Sequence, residues 1–363
     1  MALLSDLAAY DFGYIPASGL LQRVENTLTT LEKLERYRGH FFNWYDTRTL
    51  QALHPQYVSS VDSGNLLGSL LTLQAGLAEL KEQPVLSVNA FQGLQDTLQV
   101  LVDHVPVLST PELMQKVRSL QAALETLTLS RQPQTLASAD NILEGIHRSG
   151  GGLVAWLPAD TDIDGELYYW AQVFDTQAQT LREDLLSLVP DPRRFDHIPT
   201  LATLATSGRT ADAEVHSQLG SATAVGSDYK AAAERIRSID DLVDRCRELT
   251  EMDFEFLYDT SSSLLAIGYD VGERRRDPTC YDLLASEARL ASFLVIAQGQ
   301  VPQKHWFSLG RLLTSHGGDV SLISWSGSMF EYLMPQLIMP SYENTLLDQT
   351  CKAAVSRQIE YGR

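Results

Sequence analysis

Tyr281-Asp282-Leu283-Leu284-Ala285-Ser286-Glu287-Ala288-Arg289 opens the stretch that decides how this chain folds and where its chemistry lies. It runs on through Leu290-Ala291-Ser292-Phe293-Leu294-Val295-Ile296-Ala297. It then reaches Ser324-Trp325-Ser326-Gly327-Ser328-Met329-Phe330-Glu331-Tyr332-Leu333-Met334-Pro335. The first part reads as a helix that is apolar on nearly all sides after Leu290, which predicts burial. Glu287 and Arg289 are read as lying inside that helix. A charge in a buried helix must be paired, or solvated by a cleft, because desolvating it alone is costly. Glu331 repeats the oddity among Trp325, Met329, Phe330, Tyr332 and Leu333. Two carboxylates in apolar, aromatic surroundings predict a lined pocket.

Outward from this stretch the chain reads as helices. After an irregular segment at 10–17, broken by Gly13 and Pro16, the positions Leu20, Leu21, Val24, Leu28, Leu31 and Leu34 recur at three and four. Phe41-Phe42-Asn43-Trp44-Tyr45-Asp46, His54-Pro55 and Val61-Asp62-Ser63-Gly64-Asn65 follow, and a second helix carries Leu66 to Leu80. Polar, aromatic loops between long helices are where ligand contacts tend to sit. Ser109-Thr110-Pro111-Glu112 is a start signal for a helix to about Leu129. Others are predicted over about 134–148, stopping at Gly150-Gly151-Gly152, over about 165–188, from about Ala211, and over 229–252. Phe254 to Tyr258 and Leu264 to Asp270 read as two short strands joined by a turn at 259–263. After the helix of Glu287, a loop ending at Gly317-Gly318 and the Trp325 stretch, a last helix starts near Asn344 and ends at Gly362. The sum is an all-α fold with one small hairpin.

Composition narrows the partners. The chain has 363 residues, 44% hydrophobic and 20% charged, which is globular. A net charge of −18 argues against nucleic acid and against anionic membrane surfaces, since both need a basic face. A neutral polymer is acceptable. Cys246, Cys280 and Cys351 are odd in number and widely spaced, which suggests reduced thiols packed as small apolar residues in a cytoplasmic compartment. The N-terminus lacks the basic and apolar regions of a signal peptide. No apolar run approaches the roughly 18–20 residues that span a bilayer, so the chain is expected to be soluble, with no membrane insertion of its own.

Several chemistries are absent from the motifs. There is no Gly-Lys-Ser/Thr phosphate loop, no dinucleotide glycine fingerprint and no Gly-x-Ser-x-Gly elbow. The eight histidines do not fall at metal spacings, so neither metal nor cofactor is expected. Carboxylates with aromatic neighbours suit glycoside chemistry instead. One acid protonates the leaving oxygen while a second carboxylate attacks the anomeric carbon or activates a nucleophile. Tryptophan and tyrosine offer flat faces for sugar rings. Each residue also has a plain structural reading. Glu287 could be the ionic partner of Arg289, and Glu331 could serve a helix start or buried backbone. Trp44 and Trp325 could be core, and Asp46 and Asp62 could be caps.

The motifs at 281–289 and 324–335 resemble the glycoamylase-like domain of bacterial cyclic β-1,2-glucan synthases. Asn43-Trp44-Tyr45-Asp46 and Ser60-Val61-Asp62-Ser63-Gly64-Asn65 resemble the start of the same region, so the likeness covers nearly the whole chain. It implies an (α/α)6 barrel, incomplete at the C-terminus, with a small β-hairpin insertion. It also implies one domain over 1–363, with helical hairpins over 1–250 and the site-bearing region over 251–363. In that family the region cyclises β-1,2-glucan by anomer-retaining transglycosylation, beside a glycosyltransferase module and a phosphorylase-like module at the cytoplasmic side of the inner membrane. Related stand-alone domains are endo-β-1,2-glucanases.

Carried over, the resemblance makes Glu287 a catalytic glutamate, with nucleophile as its expected role. The substrate-binding residues expected are Trp44, Tyr45, Asp46, Asp62, Asn65, Tyr281, Arg289, Trp325, Glu331 and Tyr332. A second catalytic glutamate is expected in a Ser-Glu-Ser type motif beyond Arg363, so the chain reads as a fragment with little or no activity alone. A plain endo-hydrolase and a non-catalytic carbohydrate-binding fragment are the alternatives.

Overall fold

The protein's structure, a computed structural model, describes residues 2–106, 109–129, 133, 135–157, 165–206, 222–316 and 318–363. Its long helices are α1 (Ala2–Asp11), α2 (Ala17–Leu31), α3 (Ser60–Glu79), α4 (Val88–Asp103), α5 (Pro111–Leu129), α6 (Leu136–Trp156), α7 (Gly165–Leu188), α8 (Ala222–Leu249), α9 (Ala288–Ala297) and α12 (Leu346–Tyr361). Between the last two come the short α10 (Lys304–Ser308) and α11 (Met329–Leu333). The helical class read from the sequence is therefore what the chain adopts. Among the described residues no helix is long and apolar enough to cross a membrane. The helix expected from Ala211 falls on residues outside the description.

The chain forms two compact units. The first comprises Met1–Asn26 and Ala75–Val243. Here α4, α5, α6 and α7 pack in a closed series, each on the next and α7 back on α4. The caps are those the sequence announces. Thr110 accepts from the Leu113 N–H at 3.3 Å, and Thr135 accepts from that of Ser138 at 3.2 Å. Along α7, Leu167, Ala171, Phe174, Ala178, Leu181, Leu185 and Leu188 are all buried. That spacing of three and four is the inward face, and each large apolar side chain contributes about 1.5–3 kcal/mol on burial.

One expectation fails here. Gly150-Gly151-Gly152 does not stop a helix, because α6 runs through it to Trp156. Gly150 serves packing instead, whereas Gly152 has open space around it. A Cβ at Gly150 would lie 3.1 Å from the Asp175 carboxylate of α7, and His147 Nδ1 reaches that carboxylate at 2.7 Å. Close contact between α6 and α7 outweighs the roughly 1 kcal/mol that each glycine costs a helix.

The second unit comprises Thr27–Gln74 and Asp244–Arg363. It mixes short strands with helices. Strands β1 (Arg36–Tyr37) and β2 (His40–Phe41) pair antiparallel. Strand β3 (Tyr57–Ser59) pairs with Gly268–Asp270, which also pairs with Arg275–Arg276. The hairpin expected over 254–270 is only partly formed. Tyr258–Asp259 does pair with Leu264–Leu265, but Glu255–Leu257 is a single 3-10 turn. The segment Gly268–Asp270 leaves that hairpin for β3, and the Ser60 hydroxyl reinforces the junction on the Ala266 carbonyl at 2.7 Å. A further hairpin, Leu313–His316 with Asp319–Leu322, packs on α12 where the sequence reads as a loop. The last helix matches its signals, with Thr345 accepting from the Asp348 N–H at 3.2 Å and Gly362 at the C-cap.

The start of α3 is fixed against α9 by the smallest side chains available. A Cβ on Gly64 would fall 2.2 Å from the Ala291 Cβ, so only glycine permits this approach. The same α3 start is held by buried His40. A carbonyl can only accept, so His40 Nε2–H donates to the Asp253 carbonyl at 2.7 Å. Nδ1 then accepts from the Ser63 hydroxyl at 2.8 Å. Burial pushes the imidazole down to about 4, which keeps it neutral for this role. Two substitutions separate the glycine roles. Gly64→Ala should lower stability by about 1–3 kcal/mol through overpacking. Gly152→Ala, with nothing within 4 Å of the new Cβ, should raise it by about 0.5–1 kcal/mol. Urea midpoints check both, and an unchanged Gly64→Ala midpoint contradicts the α3–α9 contact.

Candidate functional site

Glu287 is not inside a helix, as the sequence suggested; it is the residue before α9, with φ −93° and ψ 22°. The segment 281–287 is non-helical, and Ser286 takes the left-handed conformation at φ +49°. That backbone prevents α9 from extending backward, and a residue other than glycine adopts it only when its surroundings enforce it. The side chain of Glu287 is nevertheless buried, at 4% exposure. Asn65 Nδ2 donates to its Oε1 at 3.3 Å, and the Ser286 hydroxyl donates to its Oε2. Both carboxylate oxygens are thus held in place by neutral donors.

Arg289 is not the ionic partner of Glu287. Its Nη2 donates to the Tyr332 carbonyl at 2.9 Å, and no hydrogen bond satisfies its buried Nη1. Burial pulls this guanidinium below its ordinary range, against a smaller opposing effect of Cys351. Among the described residues Glu287 has no salt-bridge partner, and the hydrogen bonds it accepts come from the neutral Asn65 and Ser286 side chains.

Around Glu287 lie the aromatic and acidic residues named from the sequence. Tyr281 meets Trp325 edge to face, with ring centroids 5.6 Å apart. Burial raises the Tyr281 hydroxyl above its usual range, and the charges of Asp62 and Glu287 raise it further. Trp325 is 45% exposed and Trp44 50%, so neither is core. Trp44, Asp62 and Ser63 line a cavity of about 360 Å³ together with Phe42, Asn43 and Leu66. Asp62 and Asn65, three apart on α3, share one helix face. Glu287, Tyr281 and Trp325 do not line that cavity, and Asp62 links the two groups of residues through its charge on the Tyr281 hydroxyl.

The other named residues serve the walls. Glu331 accepts from the Ser326 N–H at 2.9 Å, and from those of Ser286 and Ser328 at 3.4 Å each. It closes a capping box with Ser328 at the start of α11. Burial pushes its carboxyl up, but hydrogen bonds from Ser326, Ser324 and Ser286 outweigh this and hold it below its ordinary value. The Tyr332 hydroxyl accepts from the Ser324 N–H at 2.9 Å and donates to the Leu322 carbonyl at 3.1 Å. The Tyr45 hydroxyl accepts from the Phe42 N–H at 2.8 Å and donates to the Glu35 carbonyl at 2.7 Å. Asp46 caps its own turn, accepting from the Arg48 and Thr49 N–H groups at 2.9 and 2.8 Å.

Sequence reasoning missed Ser286 as a site residue. It touches both glutamates, Glu331 through its N–H and Glu287 through its hydroxyl. The only local signal was its place beside Glu287. Asp282 was likewise passed over; it orders the same segment by accepting from the Leu284 N–H at 3.1 Å and from Arg311 at 2.7 Å.

Compared as a whole with known proteins, the chain is similar to one segment of a cyclic β-glucan synthase. No family model matches. The chain is 34% identical over 366 residues to the cyclic β-(1,2)-glucan synthase NdvB of Rhizobium meliloti (strain 1021). That alignment takes in 99% of this chain and 12% of the synthase, so the chain spans a small part of the relative's length. The resemblance carried by the motifs is borne out: the chain is similar, almost end to end, to one segment of such a synthase.

Glu331→Gln tests the wall. A carboxyl held below its ordinary 4.5 in the folded chain adds stability above that value and loses it as pH falls through the folded value. The substitution should cost about 1–3 kcal/mol at pH 7, because an amide nitrogen then faces N–H donors. The difference from the parent chain should shrink below pH 4.5. Urea unfolding at pH 7 and pH 3.5 measures it, and an equal loss at both pH values contradicts an ionised Glu331.

Proposed function

We propose that residues 1–363 form one glucan-processing module that acts on β-1,2-glucan by anomer-retaining transglycosylation within a cyclic β-1,2-glucan synthase. The observation that carries this is Glu287, a buried carboxylate fixed by Asn65 and Ser286 near half-buried Tyr281, whose ring meets that of exposed Trp325. In this reading the helices belong to an (α/α)6 barrel. The module works beside the synthase's chain-building and chain-trimming modules at the cytoplasmic side of the inner membrane, without entering the bilayer itself.

The chemistry follows from the geometry. A sugar ring rests on the Trp325 face, its hydroxyls meeting Asp62 and the Tyr281 phenol. Glu287 attacks the anomeric carbon, and the glycosidic C–O bond breaks as the leaving oxygen takes a proton from a general acid. A hydroxyl at the other end of the same glucan then attacks the glycosyl-enzyme bond, returns a proton to that acid, and frees Glu287 with the ring closed. Retention needs the second carboxyl about 5–5.5 Å from the first. Glu331 is unsuited to that role, since backbone N–H donors keep it deprotonated. The general acid in this reading is a carboxyl other than Glu331. Tyr45, Asp46, Arg289, Glu331 and Tyr332 act on glucan indirectly, by shaping the loops.

One observation favours a hydrolase as second reading. Trp44 and Trp325 are about half exposed, and an open cleft admits water as the acceptor. Linear β-1,2-glucan incubated with full-length synthase carrying this segment, and with the chain alone, separates the readings by mass spectrometry. Cyclic products, lighter than linear ones by one water, from the full-length enzyme support transglycosylation. Short linear products support hydrolysis. Glu287→Gln should lower turnover by at least about 10³-fold with glucan binding retained. Trp325→Ala should weaken binding about tenfold. Survival of turnover in Glu287→Gln removes Glu287 from the chemistry.

A further inference from the structure

A groove of about 940 Å³ lies within the first unit, and none of the sequence motifs that define the site lines it. Its walls are the turn at Tyr14, the Asp96 face of α4 and one face of α7. We propose that this groove is a second carbohydrate-binding site, holding a further stretch of the same neutral glucan chain. The inference rests on the reading of β-1,2-glucan as ligand, and adds a place where that polymer is held away from Glu287.

Shape comes first. The lining positions of α7 run from Tyr169 through Thr176 to Ser187. Eighteen residues of helix measure about 27 Å. A trench of that length fits an extended polymer of several sugar residues rather than a compact ligand. Its volume is at the upper end of the roughly 300–1,000 Å³ usual for ligand sites.

Chemistry narrows the class. Tyr14 and Tyr169, both lining the groove, are 43% and 55% exposed. Tyr169 is braced edge-on by Trp170, at 5.3 Å between centroids, and Trp170 lies against His104 at 6.3 Å. Rigid, accessible aromatic faces suit the apolar faces of sugar rings. Between them the lining offers amides, hydroxyls and carboxylates that can meet sugar hydroxyls, among them Gln172, Thr176, Asp96 and Glu183. The carboxylates also disfavour anionic polymers. They are already ordered within the protein. Asp96 accepts from Tyr14 at 3.2 Å, Glu183 from Gln179 at 2.7 Å, and Asp184 pairs with Arg235 at 2.7 Å. Buried Gln177 stiffens the floor, accepting from Thr97 at 2.7 Å and donating to the Gly13 carbonyl at 3.0 Å. Such preorganisation lowers the ordering cost of binding.

Calorimetric titration of the full chain with linear β-1,2-glucan oligosaccharides tests this, using Tyr169→Ala, Tyr169→Phe and Trp325→Ala. Tyr169 is exposed, so its removal leaves the core intact. The parent chain should take up about two short oligosaccharides, and Tyr169→Ala about one. Long glucan, which engages both sites at once, should bind Tyr169→Ala about tenfold more weakly. Tyr169→Phe should behave as the parent. If Tyr169→Ala keeps the parent stoichiometry and affinity while Trp325→Ala loses binding, the second site is wrong and the reading of the Glu287 cleft stands. If Trp325→Ala binds as the parent and Tyr169→Ala loses binding, the groove stands and the cleft reading falls. Absence of glucan binding by the parent chain overturns both.

Discussion

The site depends on how one carboxylate gathers backbone N–H groups. Glu331 draws in those of Ser286, Ser326 and Ser328, joining the segment before α9 to the loop before α11. Hydrogen bonds from N–H groups to an ionised acceptor are about twice as strong as neutral ones. That strength sustains Ser286 in a conformation costing of order 1–3 kcal/mol. Held there, Ser286 turns its hydroxyl to Glu287 and keeps α9 from starting before Ala288. Glu331 serves the scaffold, whereas the carboxylate of Glu287 is held by the Asn65 and Ser286 side chains alone among the described residues. Two glutamates that look alike in sequence are given different work by their surroundings.

A second constraint sets the other half of the cleft. Asn65 reaches Glu287 because α3 and α9 touch at Gly64 and Ala291. The neutral His40–Ser63 bond and the β3 pairing with Gly268–Asp270 hold the start of α3 in the same place. Asp62 and Asn65 are thereby presented on one face toward Tyr281 and Glu287. Loops supply the aromatic faces and two helix starts supply the polar groups, an arrangement in which small backbone shifts move the carboxylate directly.

Much of the helical frame was legible because its signals are local. The Thr110-Pro111-Glu112 start, the Leu167 to Leu188 periodicity and the Thr345 to Gly362 helix each follow from residues a few positions apart. What was misread depended on distant partners. Gly150 to Gly152 looks the same as a stop or as a packing face, and only Asp175 on α7 decides. Glu287 looked helical because its neighbours are good helix formers; the override comes from Glu331, 45 residues beyond Ser286. The Asn65 contact spans 222 residues and has no local signature. The motif resemblance nevertheless named both of its members, together with Tyr281 and Trp325, whereas spacing alone left each with an equally good structural role.

A crystal structure of this chain with linear β-1,2-glucan bound tests the central claim most directly. The account predicts a sugar ring stacked on Trp325, with an anomeric carbon about 3–3.5 Å from a Glu287 carboxylate oxygen. Glucan ordered elsewhere, with Glu287 touching only Asn65 and Ser286, would contradict it.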